Sequence, residues 1–466
     1  MASIIQKKNR YYVVYLYDAE DGSRKQKWES FRTKDEAKRR KAEVEYRQQL
    51  GSLVIPKCTT VEELLREYVS LYGKNTWSIS MYEGSTGLIR NYINPAIGTM
   101  KLSDVTPRVL EKYYMTLLQT KAVIRCTDKQ FKKRDTPGRR DSLVTPGTVR
   151  RVHKLLNSAF TQAMKWELIE KNPAQLATVP TAEKKTRNIW DADTLFHALE
   201  VCEDERLKLA INLAFSCSLR IGELLGLTWD CVDISEESLA EGKASIFINK
   251  ELQRVRKSIM EKLEKKDVLC VFPQQVSSAT TVLVLKRPKT LTSTRRVYLP
   301  KSVAEMLISW KKDQDLTKEE LGAEYHDYQL VMAGPFGSPM EHGRITDLFN
   351  QLIEQNDLPK VVFHSLRHSS ITYKLKLNGG DVKSVQGDSG HAQAKMVTDQ
   401  YSHILDEDRK NNARIFEDVF YQKKTPGQIA AERAGQSVGI EPELLMKVLT
   451  NPEMAKVLKA LAGAIE

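Results

Sequence analysis

The chain has 466 residues, too many for a single core, so roughly two to four domains are expected. Lys plus Arg number 72 against 60 for Asp plus Glu, a formal net charge of +12, and that excess favours a polyanionic partner. The start, MASIIQKKNRYYVVYLYD, has no apolar signal core, no segment approaches about eighteen consecutive apolar residues, and the 6 cysteines form no C-x-x-C pair. A membrane span and a secreted disulfide scaffold are thereby excluded, and a soluble intracellular protein is expected.

Residues 1–55 alternate apolar and polar positions in RYYVVYLYD and KQKWESF around the turn-rich AEDGSRK, the pattern of a hairpin. In the helix that follows, capped by Thr33, only Ala37, Ala42, Val44 and Tyr46 are available to cover a small sheet. Thirteen basic against eight acidic residues in this piece favour a small β-rich nucleic-acid module over a solvated scaffold.

From Thr59 the pattern is helical: TTVEELLREYVSLYG carries a Thr cap with Glu62 three residues after Thr59. Further helices are expected across SMYEGSTGLIRNYI, TPRVLEKYYMTLLQT and TPGTVRRVHKLLNSAFTQAMKW, the two TP starts placing proline at the first helical position. Between the last two, KAVIRCTDKQFKKRDTPGRRD has eight Lys or Arg against three Asp and reads as a mobile surface loop. A charge run is usually a solvated face. Beside a helix carrying Arg150, Arg151 and Lys154, however, Lys132, Lys133, Arg134, Arg139 and Arg140 suit phosphate contact.

AQLATVPTAEKKTRN is poor in large apolar residues and reads as an interdomain linker. Strongly periodic helices follow, and Arg220 interrupts them between LAFSCSL and IGELLGL. It is either half of a structural pair with Glu223 or a phosphate ligand at a helix junction. Strands are expected at ASIFINKEL, TVLVLKRPKT and STRRVYLP, with residues 251–280 irregular and lysine-rich and a helix at KSVAEMLISWKK. PKTLTSTRRVYLP reads as two strands joined by a short polar turn that carries Lys289. That lysine is either solvated or able to reach into a cleft and donate a proton.

The richest stretch runs from His364 to His403 and holds four of the 8 histidines, with Arg367 and Tyr401. His364 and His368 are four apart, the spacing of two metal ligands on a helix face. The intervening letters include Arg367 where a zinc site of this type wants Glu after the first His, and an arginine there repels a divalent cation. An arginine flanked by histidines instead suits an oxyanion, so a phosphate is the expected ligand and no metal is expected. Beyond Tyr401, LDEDRKNNARIFEDVFYQ reads as a charged helix. In EPELLMKVLTNPEMAKVLKALAGAIE, Leu444, Leu445, Val448 and Leu449, then Met454, Val457, Leu458 and Leu461, make apolar faces suited to packing on the body or on a neighbouring subunit.

In this order, SLRIGELLGLTW, KTLTSTRRVYLP, HSLRHSS and SGHAQAKMVTDQYSH resemble the motifs of tyrosine site-specific recombinases of the phage-integrase type. With the three-part layout, the chain is most similar to integrases of Gram-positive integrative and conjugative elements and transposons. The resemblance implies a multidomain fold: a small β-rich arm-type DNA-binding domain at 1–55 (a three-stranded sheet plus helix) and an all-α core-binding domain at 58–175. A linker at 176–190, a mixed α+β catalytic domain at 191–420 and a C-terminal helical tail at 421–466, which would contact another protomer, complete it. It implies Tyr401 as nucleophile, Arg220 and Arg367 as phosphate-binding arginines, Lys289 as general acid, and His364 and His391 at the two histidine positions. His368 and His403 are then structural.

Two positions depart from the family pattern: Ser218 stands where glycine is common, and Asp388-Ser389 precede Gly390-His391 where an apolar residue is usual. Both bear on local backbone geometry. The implied reaction cuts and rejoins DNA through a 3′-phosphotyrosyl intermediate with no cofactor, in a tetramer on double-stranded DNA with core and arm sites, aided by accessory DNA-bending or excision factors. It would integrate and excise a mobile element in the bacterial cytoplasm, associated with the nucleoid. The alternatives are DNA relaxation of the type IB topoisomerase kind and a catalytically silent DNA-binding regulator on the same fold.

Overall fold

The structure is a computed structural model that describes residues 2–18, 24–49, 59–123, 139–181, 188–274 and 278–401, with positions 276, 417 and 421. The chain divides into two units. The first comprises Met1–Thr186, Val255–Lys266 and Val276–Val282; the second comprises Arg187–Arg254, Asp267–Gln275 and Leu283–Glu466. The tail expected from 421 lies outside the described residues save position 421 itself, as do Lys132, Lys133, Arg134 and His403.

In the first unit, β1 (Ser3–Lys7), β2 (Arg10–Asp18) and β3 (Arg24–Phe31) form an antiparallel sheet in sequence order. The alternation in RYYVVYLYD sends Val13 and Tyr15 to a small core with Ala37 and Val44 of α1 (Lys34–Gln49), and Tyr11 packs against it. Thr33 caps α1, its hydroxyl accepting from the Glu36 N–H. Ala42 and Tyr46, expected to help cover the sheet, are exposed instead, because α1 is too polar to offer more than a narrow stripe. On the opposite face Trp28 meets Tyr12 edge-on at 6.0 Å and carries the Lys7 ammonium 4.6 Å above its ring.

The helices of this unit start where small polar caps precede apolar runs. Thr60, with Glu63 in a capping box, starts α2 (Val61–Glu67), one residue later than the expected Thr59–Glu62 box. Ser78 starts α3 (Ile79–Leu88), Thr106 starts α4 (Pro107–Leu118) and Thr145 starts α5 (Pro146–Lys165), with proline at the first helical position of the last two. Leu64, Leu65, Leu110, Tyr114, Val149, Val152, Leu156 and Phe160 are buried. Tyr68 and Tyr114 satisfy their hydroxyls at Ser158 and His153, 2.7 and 3.0 Å away. The basic loop is not wholly irregular: its ends pair as β4 (Lys121–Val123) and β5 (Arg139–Leu143), and residues 124–138 lie outside the described ones.

The second unit has one large core. It draws on α6 (Ala192–Glu200), α7 (Glu205–Ser216) and α8 (Ile221–Leu225), and on β6 (Val232–Asp233) and β7 (Ser245–Ile248). Residues 251–280 depart from the irregular expectation: they form β8 (Glu251–Arg256), the short α9 (Lys257–Lys262) and β9 (Val268–Val271), and β10 (Thr281–Lys286) follows. The strands order β8-β10-β9 in one sheet, and β11 (Arg295–Tyr298) joins β7 and β6 in another. Lys289 therefore does not sit on a hairpin. β10 and β11 belong to different sheets, and the lysine lies on the exposed connector between them. Nearest-neighbour pairing looked natural in the sequence, but β11 finds its partner in β7, some fifty residues earlier, with Arg295 opposite Ile248.

Helices α10 (Lys301–Leu321) and α11 (His342–Gln355) complete this core, and α12 (Phe363–Leu377) enters it through Phe363 and Leu366. Its other side packs Ile371 and Leu375 against Val385 of α13 (Val382–Ser389) and Val397 of α14 (Ala394–Tyr401). Helix α12 is unusual in what it buries: Ser365, Arg367, His368, Ser369 and Ser370 are all covered. Buried polar groups at this density need partners, and a helix that retains them marks a functional centre.

Candidate active site

Arg220 stands at the start of α8 with extended backbone, φ −75° and ψ 148°. Its N–H and its Nη1 donate to the two carboxylate oxygens of Glu223 at 3.0 and 2.6 Å, and its Nη2 donates to Gly390 O at 3.3 Å. The structural pairing with Glu223 is thus real, yet the Arg220 side chain keeps 34% exposure while Glu223 has 1%. The carboxylate acts as an anchor beneath a guanidinium that still faces outward.

Glu223 is shared with Arg295, which none of the sequence motifs singled out. Arg295 Nη2 and Nη1 reach the two Glu223 oxygens at 3.0 and 3.3 Å, Nη1 also donates to Ser293 O at 3.0 Å, and Nε donates to Asp388 O at 2.7 Å. Burial pushes the Glu223 carboxyl up, but the charges and hydrogen bonds of Arg295 and Arg220 outweigh it and hold the group below the usual carboxylate range. The signal for Arg295 was present. In STRRVYLP it alternates in phase with Val297 and Leu299, so an arginine occupies a core-facing position, where it requires a partner.

Arg367 is 2% exposed. Its guanidinium donates to two backbone oxygens, Ser218 O and Ser389 O, and its Nη2 lies 3.5 Å from His391 Nε2. Ser218 can present its carbonyl there because its backbone is left-handed, φ +52°, which accounts for the glycine expected at that place. The serine hydroxyl compensates with a 2.7 Å hydrogen bond to the Ser370 hydroxyl on α12. Gly390, φ +62°, ends α13, and its turn delivers Ser389 O to Arg367, Gly390 O to Arg220 and the His391 ring to the same spot.

His391 is 7% exposed. Burial, then the positive charges of Arg367 and Arg220, bring its pKa from 6.5 down to about 4. The imidazole is neutral at physiological pH.

Arg220, Arg367 and His391 thus converge on the turn at Ser389–His391. Three nitrogen-bearing side chains on one spot, two of them fixed guanidiniums, make an oxyanion site. His364 is exposed in the first turn of α12, its ring 4.9 Å from that of His368 and perpendicular to it. Lys289 is exposed, and its connector touches the cluster through Ser293, whose carbonyl accepts from Arg295. Tyr401 is the last residue of α14, ten positions after His391. Outside this centre, Arg150, Arg151 and Lys154 lie on the exposed side of α5, and Arg139 and Arg140 on β5.

Residues 190–408 match the model of the phage integrase family, residues 60–118 that of the phage integrase N-terminal SAM-like domain, and residues 4–47 that of an arm DNA-binding domain. The chain belongs to the phage integrase family of tyrosine recombinases. The recombinase is 25% identical over 349 residues to a XerC-like tyrosine recombinase of Caldanaerobacter subterraneus subsp. tengcongensis, covering 73% of this chain and 77% of that one. It is 24% identical over 275 residues to the ICEBs1 integrase of Bacillus subtilis, covering 58% and 66%. Its fold is similar to that of the Tn1549 transposon integrase solved with a circular intermediate DNA, with a TM-score of 0.56 at 17% identity, covering 77% of this chain and 100% of that one. The β-rich start, the helical segment and the mixed α+β body thus correspond to three parts known in this family.

Proposed function

We propose that the recombinase cuts and rejoins double-stranded DNA through a covalent bond between Tyr401 and a 3′-phosphate, carrying a mobile element into and out of host DNA. The observation that carries this reading is the convergence of Arg220, Arg367 and His391 on one spot in a family whose reaction uses a tyrosine. The two guanidiniums bind the non-bridging oxygens of the scissile phosphate, where charge grows as the pentacoordinate transition state forms. Their backbone and carboxylate anchors hold them in place beforehand, so little reorganisation is needed during reaction.

A neutral phenol is a weak nucleophile at neutral pH, so its proton must leave as the new bond forms. His364, exposed at the start of α12, is suited to help accept it. Lys289, an ammonium on an exposed connector, supplies the proton to the departing 5′ oxygen. The phosphotyrosyl ester keeps the energy of the phosphodiester, and attack by another strand's 5′-hydroxyl reverses the step without a nucleotide cofactor.

In this reading residues 58–175 and 191–420 hold the crossover site, with Arg150, Arg151 and Lys154 on phosphates. Residues 1–55 take separate arm sites, for which the open sheet face with Trp28, Tyr12 and Lys7 is suited. Four protomers hold two duplexes, residues 421–466 join neighbours, and the complex works on the nucleoid with bending or excision factors.

The test is a duplex of the joined ends of the element that encodes the chain, nicked near the crossover so that a cleaved strand cannot be resealed. Wild-type protein is expected to give a complex that survives denaturant, and Tyr401→Phe to give none. An undiminished covalent complex in Tyr401→Phe sinks the assignment, and supercoil relaxation without recombinant products points to a topoisomerase.

A further inference from the structure

The Ser389 hydroxyl lies 2.8 Å from His391 Nδ1 and 3.4 Å from Gln386 O, and the residue is completely buried. The ring's other nitrogen, Nε2, faces Arg367 Nη2 at 3.5 Å. A guanidinium has only N–H donors and no acceptor. An N–H on Nε2 would therefore oppose a donor, so Nε2 presents its lone pair and the single proton of the neutral ring sits on Nδ1.

The hydroxyl completes the chain in one direction: Nδ1–H donates to Ser389 Oγ, and Oγ–H donates to the Gln386 carbonyl. The backbone is held as well, since Gln386 Nε2 donates to His391 O at 2.9 Å. Which nitrogen of an imidazole carries the proton is set by the partner of the other one. We propose that Ser389 is a positioning residue that fixes His391 as its Nδ1–H tautomer and leaves Nε2 as the nitrogen presented to the phosphate beside Arg367.

Because the serine accepts from Nδ1 whether the ring is neutral or charged, it keeps the ring in place when the negative charge of the bound phosphate draws a proton from solvent onto Nε2, which then donates to a non-bridging oxygen. An apolar side chain at 389, the residue type usual there, has no oxygen to do this. The low pKa of His391 agrees with a ring that enters the site neutral. The inference rests on the phosphotyrosyl reading above for its catalytic consequence, though not for the tautomer itself.

The experiment uses the full chain with ¹⁵N-labelled histidine, the His391 signals being assigned by their loss in His391→Gln. Wild type is expected to show a protonated Nδ1 and an unprotonated Nε2. Ser389→Ala is expected to lose the single tautomer and to slow single-turnover cleavage of the nicked duplex by about ten- to a hundredfold, with unchanged DNA affinity, the usual cost of removing the partner that orients a functional imidazole. Ser389→Thr, which retains the hydroxyl, restores both.

A wild-type ring protonated on Nε2 overturns the proposal without any variant. So does Ser389→Ala with an unchanged tautomer or unchanged rate, or an equal loss in Ala and Thr, which would mark a purely steric role. If wild type itself forms no covalent complex, the phosphotyrosyl reading fails, while the tautomer measurement still stands or falls alone.

Discussion

Replacing Arg295 by Met removes four hydrogen bonds from the cluster while leaving its volume nearly filled. Two of them serve Glu223, one serves Ser293 O and one serves Asp388 O. Glu223 is 1% exposed and would be left with Arg220 alone, a partner whose side chain is 34% exposed. Breaking a buried pair by removing one member costs about 3–5 kcal/mol. The remaining arginine places this case near the lower end, about 3 kcal/mol, and for a unit of this size that lowers Tm by roughly 6–12 °C.

The pH dependence has a definite sign. In wild type the Glu223 pKa is depressed, so its stabilisation is present above the unfolded value of about 4.3 and is lost as pH falls through the lower folded value. In Arg295→Met the largest influence, burial, is opposed by one fewer guanidinium, and the folded pKa rises. The deficit should then be greatest near neutrality and shrink as pH falls and Glu223 takes up a proton. Urea unfolding of wild type, Arg295→Met, Glu223→Gln and the double variant at pH 7 gives the coupling, expected at about 1–3 kcal/mol. A coupling under about 0.5 kcal/mol, or a deficit that grows toward acid, would refute the shared-anchor reasoning.

Ser218→Ala keeps the left-handed backbone and loses the bond to Ser370, so it should destabilise by about 1–2 kcal/mol in urea unfolding. Ser218→Gly relieves the strain while losing the same bond and should fall within about 1 kcal/mol of wild type; equal losses in both would show that the backbone conformation is irrelevant. Changing Arg150, Arg151 and Lys154 together to Gln should weaken DNA binding across all sequences and flatten the slope of log K against log salt by about 0.9 for each phosphate that is no longer neutralised. An unchanged slope in filter-binding or fluorescence titrations would remove α5 from the interface.

The sequence revealed the reactive groups better than it revealed what holds them. Arg220 interrupts strongly apolar runs, Arg367 is flanked by His364 and His368, His391 follows in the same histidine-rich stretch, and the structure brings all three to one turn. Their anchors were less legible, because three are backbone oxygens, at Ser218, Ser389 and Gly390, and carbonyls carry no letter of their own. Ser218 and Ser389 stood out as departures from the family pattern, yet only the geometry shows that one hydroxyl steadies a left-handed residue and the other meets an imidazole.

Arg295 could have been found from its phase with Val297 and Leu299. The placement of Lys289 failed for a different reason. Strand pairing is non-local, so two adjacent alternating runs suggested a hairpin, whereas β11 pairs with the distant β7. The strands between 251 and 280 were hidden for two reasons: Glu251–Arg256 buries Leu252 and Val255, whose spacing of three breaks the alternation that marks a half-buried strand, and Val268–Val271 is a run of 4 apolar residues with no alternation at all. The offset of one residue at the Thr60 cap has a simple cause, since Thr59–Glu62 and Thr60–Glu63 are equally good capping boxes in the sequence and only the folded structure distinguishes them.

The most direct test of the phosphotyrosyl account is to map the covalent bond itself. Digesting the trapped protein–DNA complex with protease and nuclease and sequencing the peptides by mass spectrometry should find a nucleotide joined through its 3′-phosphate to the phenolic oxygen of Tyr401. A 3′-nucleotide on any other tyrosine, a 5′ linkage, or a nucleotide on a serine would contradict it.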